Sequence, residues 1–143
     1  MAAGPWLPQV APELAQHFKV HRQVQFWFEV DDTARFAADR FPIFIWDNGT
    51  GVYGFPVIDG NGIKVSTESY EQTTTPQTVD RAVSDTEVRV MFENHIAPYI
   101  AGVGPRCLKT AVCLYTVTRD FGFVIDRHPD HANVTIASPC SGH

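Results

Sequence analysis

At 143 residues and 44% apolar content, the chain is long enough for one domain that buries roughly 68 to 70% of its unfolded surface if it folds alone. A formal charge of −5 gives it no basic footprint for nucleic acid, and no apolar run approaches the roughly 20 residues that a membrane helix needs. The N-terminus has no basic stretch followed by an apolar one, so the expected location is cytoplasmic. Three cysteines, Cys107, Cys113 and Cys140, with no C-x-x-C pair predict reduced thiols rather than a disulfide framework or a structural zinc site.

Met1 to His17 holds three prolines and one short helix-compatible piece, Glu13 to Gln16, and reads as a leading segment. Val20, Val24, Phe26, Phe28 and Val30 then alternate with His21, Gln23, Gln25, Trp27 and Glu29, which predicts a half-buried strand. Asp31-Asp32-Thr33 can cap a brief helical turn reaching Asp39, and Phe41 to Asp47 is a second strand candidate. Asn48-Gly49-Thr50-Gly51 reads as a hairpin loop leading into a third strand at Val52 to Pro56, which Pro56 ends or places at an edge. A second turn at Asp59-Gly60-Asn61-Gly62 precedes a fourth strand, Ile63 to Val65. These short connections predict an antiparallel sheet.

The polar, Thr-rich stretch from Thr67 to Thr78 reads as a surface loop. Ser84 and Glu87 have the spacing of a capping box, and Val88, Met91, Phe92, His95, Ile96 and Tyr99 recur at helical spacing. One long helix covering the sheet is therefore expected, with Pro98 near its end. From Lys109 to Thr118 the pattern returns to period two and places Cys113 and Tyr115 on one face. Arg119 to Gly122 supplies turn residues and Phe123 to Ile125 is again β-rich, so the segment is expected to fold as a hairpin; Asn133 to Ala137 is the last strand candidate. Taken by itself, Cys113 reads as a small buried hydrophobe and Lys64 as a solvated strand lysine. Tyr53 and Tyr115 read as packed aromatics.

Ala-Val-Cys-Leu-Tyr-Thr at 111–116, Phe-Val-Ile-Asp at 123–126, His128-Pro129 and Ser141-Gly142-His143 together resemble the C-terminal part of the monomeric sarcosine oxidase and N-methyltryptophan oxidase family. Ala3-Gly4-Pro5-Trp6 is similar to that family's Gly-Ala-Trp segment. Tyr53-Gly-Phe-Pro56 followed by Gly-Ile-Lys64 is similar to its Tyr-Gly-Phe-Pro through Gly-Leu-Lys pattern. The resemblance implies an α+β fold: a mostly antiparallel sheet with one long covering helix, the substrate domain of a glutathione-reductase-type flavin amine oxidase. No G-x-G-x-x-G occurs, so the Rossmann part that binds FAD is expected to be absent from these residues. Residues 1–143 are then a single partial domain. Its parts are a substrate-binding region at about 18–105 and a flavin-attachment hairpin with the C-terminal segment at 106–143.

By the same resemblance the intact enzyme is an FAD-dependent oxidoreductase. It demethylates N-methyl or secondary amino acids with oxygen, giving formaldehyde and hydrogen peroxide, and the isolated chain, lacking its FAD-binding partner domain, is expected to be inactive. FAD is expected to be joined covalently to Cys113, and Ser141, Gly142 and His143 to lie at the cofactor. Lys64 is the oxygen-activating catalytic residue, because a fixed cation stabilises the negative charge that develops on oxygen. Tyr53 and Tyr115 are expected at the substrate. Glu68 departs from the pattern, since sarcosine oxidases have histidine four residues after the lysine. The rival reading is a non-catalytic truncated module that binds no flavin. Asp126, His128, Asp130 and His131 are metal-ligand types, but their spacing matches no established zinc pattern and no metal is expected.

Overall fold

The computed structural model describes residues 1–143 apart from Asn48, Asn61, Cys140 and His143. In chain order the elements are α1 (Leu7–Val10), β1 (Lys19–Val30), β2 (Phe44–Trp46), β3 (Val52–Phe55) and β4 (Ile63–Thr67). They continue with α2 (Asp85–Met91), β5 (Val103–Val117), β6 (Val124–Arg127) and β7 (Thr135–Ser138). This is an α+β arrangement with a mostly antiparallel sheet and few helices. None of the described helices is long and apolar enough to cross a membrane.

The chain divides into two compact units. One comprises Met1–Arg22, Ser69–Asp80 and Leu114–His143; the other comprises Gln23–Glu68 and Arg81–Cys113. The second unit carries most of a five-stranded sheet in the order β2-β3-β4-β1-β5. Its sidedness follows from the alternation along β1. Phe26 and Phe28 are buried on one face, whereas Gln25 and Trp27 are half-buried on the other. Pairing extends the division across the sheet, because Phe26 lies opposite Val65 and Phe28 opposite Ile63, and all four are buried. Val52 of β3 joins the same core.

Met91, Ile96 and Ile100 complete that core from the helical segment, and the ring of Phe92 packs 5.7 Å from that of Phe28. The expected capping box is present: Ser84 Oγ accepts the Glu87 N–H (3.3 Å) and Glu87 Oε2 accepts the Ser84 N–H (2.9 Å). The single long helix is not. α2 spans seven residues, and the chain then widens into a π-helical turn, Phe92–Ile96, in which the Ala97 N–H donates to Phe92 O at 2.9 Å. Pro98 follows at once and has no amide hydrogen with which to continue the ladder. β5 begins at Val103, six residues before the strand expected from the alternation. Pro105 is tolerated there because β5 is the outer strand.

The first unit is organised by a small core of Leu7, Ala11, Phe18 and Ile136. The Ala137 N–H donates to Met1 O at 2.9 Å, so the leading segment runs beside β7. The expected pairing of the Lys109–Thr118 strand with residues 123–125 does not form. β6 pairs antiparallel with β7 in a separate two-stranded sheet, Ile125 opposite Ala137. The intervening turn satisfies its polar groups locally: Thr118 Oγ1 donates to Asp120 Oδ1 (2.8 Å) and Asp120 Oδ1 accepts the Gly122 N–H (3.2 Å). Its six residues, 118–123, are longer than a tight hairpin requires.

Gly62 has φ +77°, and a Cβ there would stand 2.0 Å from Phe28 O. Gly62→Ala is therefore expected to destabilise the protein by more than the about 1 kcal/mol expected for Ser84→Ala, read as midpoints of urea unfolding.

Candidate functional site

With one face of the sheet closed by α2, the other carries a row of chemically distinctive side chains. Phe55 on β3, Lys64 on β4 and Trp27 on β1 are directly opposite one another across neighbouring strands. The Lys64 Nζ lies 4.8 Å from the centroid of the Phe55 ring and 5.6 Å from that of Trp27, so two π faces hold the ammonium. Each such contact contributes about 0.5 to 1 kcal/mol where water has access. From β5, Lys109 brings its Nζ to 4.6 Å from the same Trp27 ring.

The adjacent row is formed by Tyr53, Ser66 and Gln25, again opposite one another. Ser66 is fully buried and its hydroxyl donates to Val24 O at 2.6 Å. Gln25 Nε2 donates to Cys113 Sγ at 3.7 Å, which brings the β5 thiol to this side of the sheet. Tyr53 and Phe55 stand edge to face, 6.3 Å between centroids. The second unit thus gathers Tyr53, Lys64 and Cys113 onto one face.

Burial pushes the Cys113 thiol above its ordinary range, while the Lys64 charge and a backbone hydrogen bond pull the other way. The thiol is therefore neutral near pH 7, with a nearby cation that favours its ionisation. His95, on the helical side, is held below the usual histidine range by burial.

In the first unit Tyr115 and Ser141 are buried, and Gly142 lies against the tyrosine. Gly142 has φ +97°, and a Cβ there would meet Tyr115 Oη at 2.6 Å, so this approach requires glycine. His143 lies outside the described residues. The ligand-type residues of the His128 loop are engaged with one another. His128 Nδ1 accepts the Asp130 N–H at 3.1 Å, which puts the ring proton on Nε2, 2.5 Å from Glu13 Oε1. The donor atoms that gather within 4.8 Å are those of Glu13, His128 and Asp130. Asp126 instead accepts the Arg127 N–H at 2.7 Å.

Along its whole length, residues 1–143, the sequence matches the family model described as FAD dependent oxidoreductase. The chain belongs to this family. Within it, the monomeric sarcosine oxidase of Streptomyces avermitilis is 41% identical over 146 residues, covering 98% of this chain and 38% of that protein. The N-methyl-L-tryptophan oxidase of Escherichia coli is 31% identical over 149 residues, again 38% of its length. The chain thus spans well under half of the curated relatives it matches. Among solved structures, a fructosyl peptide oxidase from E. terrenum superposes with a TM-score of 0.68 at 19% identity, over 99% of this chain and 36% of that one. That likeness is one of fold.

Three residues of the face were not singled out by the sequence reading: Trp27, Phe55 and Lys109. Trp27 carried a usable signal, being a large aromatic on the polar side of β1 between Gln25 and Glu29. Phe55 stood only as part of the Tyr53-Gly-Phe-Pro56 pattern and Lys109 carried no signal, since strand register is what brings them to Lys64 and Trp27. Glu68 is exposed at the open end of the β3–β4 pair, where its N–H donates to Gly51 O at 3.2 Å.

The raised thiol range yields a direct expectation. Cys113 is alkylated by iodoacetamide more slowly at pH 7.5 than an exposed thiol, and its rate rises with pH beyond the usual thiol midpoint. Lys64→Met removes a cause that lowers the range and so moves the rate profile further up. Peptide mapping of the alkylated chain over a pH series checks both; a profile unmoved by Lys64→Met would show that the lysine charge does not reach the thiol.

Proposed function

We propose that the chain is the substrate-binding region of an FAD-dependent oxidase that acts on N-methyl or other secondary amino acids with oxygen, giving formaldehyde and hydrogen peroxide. In this reading residues 18–105 form the substrate part and 106–143 the flavin-attachment and C-terminal part. The dinucleotide half of FAD is held by a Rossmann-type domain outside these residues. The observation that carries the reading is the gathering of Tyr53, Lys64 and Cys113 on the sheet face opposite α2. The relatives supply the substrate class, being named for sarcosine and N-methyl-L-tryptophan.

The residues of this face fit a flavin. Aromatic side chains suit a flat ring system, and Cys113 is a half-buried thiol beside a cation. When bound, the flavin supplies the acceptor for two electrons from the carbon next to the amine nitrogen. By the family resemblance Cys113 would hold it covalently, and Ser141, Gly142 and His143 would be the residues of the C-terminal segment that lie at it. Lys64, fixed between two rings, stabilises the negative charge that develops on oxygen. Tyr53 and Tyr115 wall the substrate and orient its carboxylate. Glu68 places a carboxylate where sarcosine oxidases have histidine, which favours a secondary amino acid other than sarcosine itself.

The test is a graft of residues 1–143 in place of the matching segment of the Streptomyces avermitilis enzyme. A mass increment equal to FAD is expected, and Cys113→Ala removes it while Cys107→Ala does not. Lys64→Met should leave anaerobic bleaching of the flavin by amine intact but slow oxygen uptake by about 10²- to 10³-fold. A folded graft of unmodified mass, colourless between roughly 350 and 500 nm, would overturn the reading.

A further inference from the structure

Strand β5 carries two thiols whose hydrogen bonds run in opposite senses. Cys107 Sγ donates to Lys109 O at 3.2 Å, a bond that needs the thiol proton, and the residue packs against the core of Phe26 and Phe28. Cys113 Sγ instead accepts, from the Gln25 Nε2–H at 3.7 Å, and a bond of that sense strengthens when the thiol loses its proton. Because a cysteine acts as a nucleophile in its thiolate form, the direction of the bond separates the two residues chemically. The donor is placed by the sheet. β1 lies between β4 and β5, and pairing sets Gln25 opposite Ser66 of β4. Neighbouring strands stand about 4.8 Å apart, a span that the glutamine side chain is long enough to cross. The Ser66 hydroxyl beside it is committed to Val24 O at 2.6 Å.

We propose that Gln25 is the positioning residue of Cys113: its side-chain N–H holds the sulfur toward the open face of the sheet and stabilises the thiolate, which makes Cys113 rather than Cys107 the nucleophile of β5. The inference rests on the reading of Cys113 as the residue that bonds to the flavin, and it names what prepares that residue. Gln25 and Cys113 are both half-buried, so water screens their bond only in part. Burial opposes ionisation of the thiol and the Lys64 charge favours it, but neither fixes where the sulfur points. The cations of this face are Lys64 of β4 and Lys109 of β5, and both are held over the Trp27 ring, so the charge they lend does not depend on Gln25. A neutral amide has a further advantage over a third cation: it tolerates the protonated thiol as well as the thiolate.

The experiment is alkylation of the chain by iodoacetamide over a pH series, with the Cys113 and Cys107 peptides quantified from the same digest. The thiol proton passes to water, and the carbon–sulfur bond forms as iodide leaves. Gln25→Met keeps the length of the side chain without the donor; it should slow Cys113 about tenfold at pH 7.5 and move its rate profile to higher pH. Gln25→Glu has the shape of glutamine but repels the thiolate, and should slow Cys113 at least as much. Gln25→Lys returns a donor of similar reach and should recover the rate, while Cys107 keeps its own rate throughout. A Cys113 profile unmoved in Gln25→Met, or a slowing that Gln25→Lys does not reverse, would overturn the proposal. If Gln25→Met loosens the sheet, Cys107 speeds up as well, and Gln25→Glu then decides: an unmoved Cys113 profile in that variant overturns the proposal. No flavin is present in this experiment, so its failure removes the role of Gln25 alone, whereas the mass of the graft decides flavin attachment.

Discussion

The register of β1 against β4 is the constraint on which the rest depends. With Phe26 opposite Val65 and Phe28 opposite Ile63, four apolar side chains fall on the face that α2 closes. The same register leaves Trp27 opposite Lys64 and Gln25 opposite Ser66 on the other face. Because side chains alternate with period two, a slip by one residue would carry the phenylalanines into the open and drive the lysine into the core. Burial of Phe26 and Phe28 alone is worth on the order of 3 to 6 kcal/mol, far more than any contact on the open face. The hydrophobic core thus sets the geometry of the chemical face without contributing an atom to it.

That face is polar in an unusual way. Its cations are compensated by aromatic rings rather than by carboxylates, and the carboxylate beside Trp27 on β1, Glu29, is tied to an arginine. A lysine held on ring faces keeps its charge and its proton donors, whereas a lysine in an ion pair has spent both on its partner. The arrangement suits chemistry in which negative charge arrives from outside the protein. It also explains how a half-buried thiol can sit among groups that pull its ionisation in opposite directions.

The first unit follows a different economy of contacts. Its core is small, and much of its order comes from short-range polar ties such as the Thr118–Asp120–Gly122 turn and the bond between His128 and Glu13. The latter joins residues more than a hundred positions apart and occupies both nitrogens of the ring together with the Asp130 amide. The packing of Gly142 on Tyr115 belongs to the same class, a close approach that any side chain at 142 would block.

The sequence by itself determined the elements whose signals are local. Alternation marked β1, glycine-rich turns marked the pairs β2–β3 and β3–β4, and the Ser84–Glu87 box marked the start of α2. Its motifs also determined the family, which the match over the whole chain bears out. What it could not determine was long-range. The partner of β6 is β7 and not β5, because a β-rich run specifies that a strand forms but not which edge it joins. The helix closed early, because apolar spacing does not register where a ladder widens before a proline. Only tertiary structure brought Phe55 and Trp27 to Lys64 and Lys109 to Trp27, since these residues lie on four different strands and meet through pairing register.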